Sequence, residues 1–223
     1  MIRYLPKLML TLDEIKDEPS LLIHALTGCM FHCFRCFNYE ELVEKVHDEV
    51  YEIDDVVAYI QKQDHLFDNI ILSGGELMLA PLESLISDLG LIRKTTQKPV
   101  IIYTTGLELA KMKNLHDRGL VDGYHIDMKL PYHLLTDDDY DLIEMTMGIR
   151  LRSLDLVKRL EEALAFVVET DAGKSQIRSV RYPFLDETAF AECKFHVDAL
   201  NHRYNKSTPY FINAFIDPEA TKK

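Results

Sequence analysis

At 223 residues, 47% hydrophobic and 28% charged, the chain is long enough for one sizeable core and short for two full domains. A single domain over 1–223 is expected, with its core about 20–216 between a short N-terminal leader and a C-terminal tail. A net charge of −12, from 37 acidic against 25 basic side chains, disfavours nucleic acid and anionic membrane surfaces as partners. No apolar run approaches a membrane span, and residues 1–11 lack the apolar core of a secretion signal. A cytoplasmic location is expected.

In chain order, the buried-looking run 21–26 reads as a strand that feeds Thr27-Gly28 and then a cysteine-rich loop. A helix over 54–63 follows, opened by an aspartate, and then a strand over 69–73 that ends in Gly74-Gly75-Glu76. Proline at a first turn predicts a helix over 81–94. The pattern continues with a strand over 99–104, a helix over 108–117, a strand over 124–128, a helix over 151–165, a strand over 177–182, a helix over 186–202 and a strand over 210–215. The run 136–141 reads as a solvated loop or a helix start, and 163–170 as either a helix end or an extra strand. Strands alternating with helices imply an α/β fold with a mostly parallel sheet, open or closed into a barrel. Ligands gather at the carboxyl ends of strands in either architecture.

Three of the four cysteines, Cys29, Cys33 and Cys36, stand in eight residues as C-x3-C-x2-C. That packing does not suit a disulfide framework. Three thiolates on one loop suit three irons of a four-iron, four-sulfur cluster and leave the fourth iron open for chemistry. Zinc is the alternative and needs a fourth ligand, for which Cys193 or His32 stands available; Cys193-x-x-His196 offers a second half-site. On that reading the chain is a non-enzymatic, zinc-stabilised interaction module. A lone Cys193 on a helix also reads simply as a small buried hydrophobe. Ala172-Gly-Lys-Ser175 imitates the end of a phosphate loop, but Val168 stands where the pattern needs glycine.

The cysteine triplet after a first strand, with Gly74-Gly75-Glu76 after a second, resembles the signature of the radical S-adenosylmethionine (SAM) superfamily. The resemblance implies a partial barrel of about six β/α units. It also implies a 4Fe-4S cluster on Cys29, Cys33 and Cys36, with SAM chelating the open iron and cleaved reductively to a 5′-deoxyadenosyl radical. The Gly74-Gly75 turn, with Glu76 nearby, is implied to receive the SAM amine. Thr105 and Gly106 match a turn that lines the SAM site, or else cap the following helix. Asp127 and Lys129 match an Asp-x-Lys pattern in which Lys129 contacts the SAM carboxylate or the partner and Asp127 orients it; a plain salt bridge is the other reading. Arg178 matches an arginine region of a later strand, with Arg181 as its exposed counterpart. Arg35 stands where relatives carry an aromatic over the adenine, so stacking falls to its guanidinium plane or to Phe34 or Phe37.

The leader 8–22, Leu26-Thr27-Gly28-Cys29, Cys36-Phe37-Asn38, 102–107 and Val121-Asp122-Gly123 are similar to anaerobic ribonucleotide reductase activating proteins. This resemblance covers most of the first 150 residues. It implies an activase that abstracts hydrogen from a glycine of a glycyl radical enzyme, the large subunit of anaerobic ribonucleoside-triphosphate reductase. A flavodoxin- or ferredoxin-type protein is the implied electron donor. A radical SAM enzyme acting on a small metabolite such as a nucleoside is the second enzymatic reading.

Overall fold

The computed structural model describes residues 1–220, and the last three residues of the expected tail lie outside them. Seven strands are present among these residues. They are β1 (Met9–Ile15), β2 (Glu18–Ala25), β3 (Asn69–Gly74), β4 (Val100–Thr104), β5 (Gly123–Asp127), β6 (Gln176–Arg181) and β7 (Tyr210–Ala214). Six helices lie among them: α1 (Ile53–Gln63), α2 (Leu82–Thr95), α3 (Leu109–Asp117), α4 (Tyr140–Met147), α5 (Asp155–Thr170) and α6 (Glu187–Tyr204). The α/β class with mostly parallel strands is the one expected.

The residues divide into two compact units, each built from several stretches of chain. The first comprises 1–29, 38–104 and 110–124, and so holds β1 to β4 with α1, α2 and most of α3. Here β2 pairs in parallel with β3, and β3 with β4, in a register that sets Leu22 beside Ile71 and Ile71 beside Ile101. These three residues form a buried cluster against which Met9, Ile15 and Tyr103 pack. Leu21, Ile23, Ile70, Leu72, Val100 and Ile102 are buried as well. Burial of both faces explains why these strands read as continuous apolar runs. α1 is opened by a reciprocal capping box between Glu52 and Asp55, so its cap precedes the expected aspartate.

The second unit comprises 30–37, 105–109 and 125–223. β6 pairs in parallel with the end of β5 and with β7. α5 buries Val157, Leu160, Ala163, Leu164, Val167 and Val168, a stripe at helical spacing. Asp186 caps α6 by accepting a hydrogen bond from the Ala189 amide at 3.0 Å.

Two elements go beyond the expected pattern. β1 pairs antiparallel with β2 through a turn in which Asp17 adopts φ 61°, so the leader contributes a strand. Its mixed sequence, with Thr11, Asp13 and Glu14, suits an exposed position better than a buried one. α4 follows a capping box between Thr136 and Asp139 and stops at Gly148 in the left-handed conformation, which makes the acidic run a helix start. α5 begins four residues later than expected and runs on through Thr170, so 163–170 is helix. Phe166, Val167 and Val168 keep that segment buried without a strand partner.

Candidate cluster and cofactor site

In the first unit, β2 ends at Ala25 and the chain continues through Thr27 and Gly28 to Cys29, which is half-buried. The Gly74-Gly75 turn after β3 lies directly against this segment. Gly74 has φ +141°, and a Cβ there would collide with the Ala25 carbonyl oxygen; a Cβ on Gly75 would collide with that of Gly28. Glycine is therefore required twice, for close backbone approach. The Gly28 carbonyl accepts the Glu76 amide at 2.6 Å.

The Glu76 side chain is buried and turned inward. Its Oε1 accepts from the Thr104 hydroxyl at 2.9 Å and from the Met78 amide at 3.1 Å, while its carbonyl accepts from the Thr27 hydroxyl at 2.9 Å. Glu76 thus fastens the ends of β2, β3 and β4 together. That the Thr27 and Thr104 hydroxyls bond to Glu76 was not legible in the sequence, because a hydroxyl's partner is invisible until the register of parallel strands is known.

In the second unit, residues 30–37 form the rest of the cysteine loop. It hangs on the end of α4: the His32 amide donates to the Met147 carbonyl at 3.0 Å and the Phe34 amide to that of Thr146 at 3.1 Å. Gly148 has φ +67°, and a Cβ there would strike the His32 carbonyl. The Cys36 amide donates to the Cys33 carbonyl at 3.0 Å, and Arg35 between them has φ 45°. Cys33 is buried and Cys36 half-buried.

Arg35 faces acidic side chains of the tail. Its guanidinium pairs with Asp217 and stands 3.6 Å from Glu219, and it lies 5.7 Å from the Phe34 ring centroid. Phe34 meets Phe184 edge-on at 5.1 Å and packs near Tyr182 and Phe215. Met30 and Phe37 are exposed.

Asp127 ends β5, and Lys129 two residues on points its ammonium back to the Asp127 carboxylate at 2.7 Å. The charge of Lys129 is felt at the Cys33 thiol. Burial opposes the charged form of Lys129, but Asp127, Cys33, Tyr182 and Tyr132 outweigh it and hold the ammonium well above its usual range. Burial raises the Cys33 thiol, against the pull of Lys129. Tyr132 receives the Lys129 amide on its hydroxyl at 3.1 Å, and Ser179 donates to the Met128 carbonyl at 2.5 Å. The site residues Cys33, Asp127 and Lys129 are thus brought together, and Tyr132 and Tyr182 join them without any local motif.

Arg178 is half-buried and donates to Gln176 Oε1 at 3.0 and 2.8 Å, whereas Arg181 is exposed and pairs with Glu187. Thr105 is half-buried. Gly106 has φ +87°, and a Cβ there would stand 2.7 Å from Ile126 Cδ1 and 2.8 Å from Ala163 Cβ. Cys193 is buried, and burial chiefly raises its thiol to about 11. At the rejected phosphate-loop imitation, Asp171 Oδ1 already accepts the amides of Gly173, Lys174 and Ser175.

The donor set fits an iron–sulfur cluster. Among the described residues no three His, Cys, Asp or Glu side chains converge as ligands of one metal ion. A cluster makes no such demand, because each thiolate takes a different iron. None of the four cysteines is in a disulfide.

Residues 20–140, just over half of the chain, match the family model described as "4Fe-4S single cluster domain". The chain belongs to that family. The fold is shared with a polyhistidine-tagged anSMEcpe with bound AdoMet, at 18% identity and a TM-score of 0.51, over 85% of this chain and 49% of that one. QueE from Escherichia coli aligns over 96% of this chain and 94% of its own, at 13% identity and a TM-score of 0.45. No curated protein matches. The family gives the chain a 4Fe-4S cluster as its cofactor.

Proposed function

We propose that the chain is a glycyl-radical-enzyme activase, with the large subunit of an anaerobic ribonucleotide reductase as its partner. The observation that carries this reading is the surface of the cysteine loop. Met30 and Phe37, at its two ends, are 55% and 59% exposed, although large apolar side chains next to a reactive centre would ordinarily be covered. A protein segment is the substrate that would cover them. The likeness of the leader, of Leu26 to Cys29 and of Cys36 to Asn38 to such activating proteins points the same way. So does the cysteine inventory: beyond the triplet there is only Cys193, which is buried.

On this reading Cys29, Cys33 and Cys36 hold the cluster, which when bound supplies the electron that splits SAM. The Gly74-Gly75 turn keeps its backbone free of side chains for the methionine end of SAM. Asp127 keeps the Lys129 ammonium in place beside Cys33. A flavodoxin- or ferredoxin-type protein delivers the electron.

The test is anaerobic incubation of the cluster-loaded protein with reductant, SAM and the reductase large subunit, read by electron paramagnetic resonance. A glycyl radical doublet on the reductase, with stoichiometric 5′-deoxyadenosine, is expected. SAM cleavage that leaves no radical on any reductase or lyase encoded beside it removes the assignment. Turnover stimulated by a nucleoside alone would put the small-metabolite reading in its place.

A further inference from the structure

β7 is an edge strand without the protection that exposed edges usually carry. It pairs with β6 and, among the described residues, with no other strand. Soluble proteins blunt such edges with charged side chains, proline or a bulge, as β1 does with Asp13, Glu14 and a register shift. The run 210–216, Tyr-Phe-Ile-Asn-Ala-Phe-Ile, holds no charge and no proline. Phe211, Ile212 and Ile216 are 44%, 38% and 57% exposed, and Asn213 and Ala214 are exposed with them. An uncharged edge of this composition is a template for a further strand.

The pairing with β6 fixes which backbone groups are left over. The Ile177 amide donates to the Pro209 carbonyl at 2.9 Å, and alternation then aims the amides and carbonyls of Phe211 and Asn213 at β6. Those of Tyr210, Ile212 and Ala214 point outward, a set symmetric about Ile212. We propose that this edge is covered by β7 of a second copy of the chain, antiparallel to the first and related to it by a two-fold axis at Ile212. Ile212 then exchanges both backbone hydrogen bonds with its own copy, and Tyr210 exchanges both with Ala214. Across the axis Ile212 packs on Ile212 and Phe211 on Asn213.

Charge selects the antiparallel direction. In this register exposed Lys206 stands opposite Pro218 of the second copy, flanked there by Asp217 and Glu219. Lys206 donates to the Asp171 carbonyl at 2.7 Å and its ammonium has donors to spare, while Glu219 is 75% exposed. A parallel arrangement would set Lys206 beside Lys206 and Glu219 beside Glu219. Pro218 has no amide to donate and so ends the pairing beyond Ile216. A two-fold contact uses up both edges, which closes the assembly at two chains. Nothing in this pairing depends on the cluster or on the activase reading, so it stands or falls apart from them.

The experiment is sedimentation equilibrium of the full chain over a concentration series, with amide exchange resolved by residue, for wild type, I212P, I212D, E219K and K206E/E219K. Wild type is expected to dimerise, and its Tyr210, Ile212 and Ala214 amides to exchange more slowly as concentration rises. Proline at 212 removes only an outward amide, which an edge strand tolerates, so I212P should fold and raise the dimer Kd at least about tenfold. I212D, which faces two carboxylates across the axis, should do the same and decides if I212P fails to fold. E219K should weaken the dimer and K206E/E219K regain it; equal dimerisation in these two and wild type overturns the antiparallel register. A wild type still monomeric at about 100 μM overturns the proposal, as does a dimer that the folded Ile212 variants leave intact. Edge amides that slow only when the reductase subunit is added give the edge to that partner and overturn it as well.

Discussion

At the scale of single residues, glycine positions make the sharpest demands. Gly75→Ala would press a methyl group into the Gly28 carbonyl, one residue before Cys29, with no flexible side chain there to yield. The expected cost is about 1–3 kcal/mol, the usual range for overpacking, together with a lower iron content per chain after reconstitution. Urea titration and iron analysis check both. Buried histidines carry a pH dependence. Burial holds His24 below its ordinary value of 6.5 and His125 well below it, with Lys7 and Arg178 respectively adding to the effect. As pH falls past 6.5 the unfolded chain binds protons on these rings while the folded chain resists. Their contribution is thus fully present above 6.5 and lost as pH falls through the folded values. Unfolding midpoints measured from about pH 7.5 down to 5.5 should fall, with a slope of up to about 1.4 kcal/mol per pH unit for each ring, and His125→Gln should flatten the curve.

Among the elements, α4 has the largest consequence for the site, although it carries no ligand. Its last two carbonyls, of Thr146 and Met147, hold the amides of Phe34 and His32. Gly148 then turns away in the left-handed conformation with no room for a side chain. Gly148→Ala is expected to cost about 1–3 kcal/mol and to make the cluster easier to lose, through strain at positive φ and displacement of the cysteine loop. The rate of iron release to a chelator, compared with that of Gly119→Ala, checks this: Gly119 also has positive φ, but a Cβ there meets nothing within 4 Å. Most strands and helices were readable because each buries a periodic or continuous apolar run. α4 was not, because its eight residues mix Asp141, Glu144 and Thr146 with the apolar ones. Its signals were the Thr136–Asp139 capping box and Gly148, both outside the apolar pattern.

For the whole molecule, the aliphatic core of each unit does not draw on the cysteine loop for its bulk. Leu22, Ile71 and Ile101 pack in one unit and the α5 stripe in the other. Unlike small metal domains, which unfold when the ion leaves, a chain with this much buried apolar surface should stay folded without iron. Removing the cluster anaerobically is expected to leave the far-ultraviolet circular dichroism unchanged while amide exchange accelerates at 28–37. Collapse of the dichroism signal would show instead that the cluster is structural. Among the described residues no helix is long and apolar enough to cross a membrane.

The sequence alone determined whatever depends on residue type at short spacing. Three cysteines within eight residues define a thiolate donor set for a metal centre, Gly74-Gly75-Glu76 marks a tight turn at a strand end, and the apolar runs define an alternating α/β chain. Tertiary structure decided how residues distant in the chain meet. It turned Glu76 inward to Thr104, committed Arg35 to the tail carboxylates, placed Arg178 on Gln176 and buried the Lys129 ammonium against Asp127. Such contacts follow from strand register and from where a long side chain finds its partner after burial. Neither is encoded by any local pattern, because the free energy that fixes them comes from burial shared across the fold.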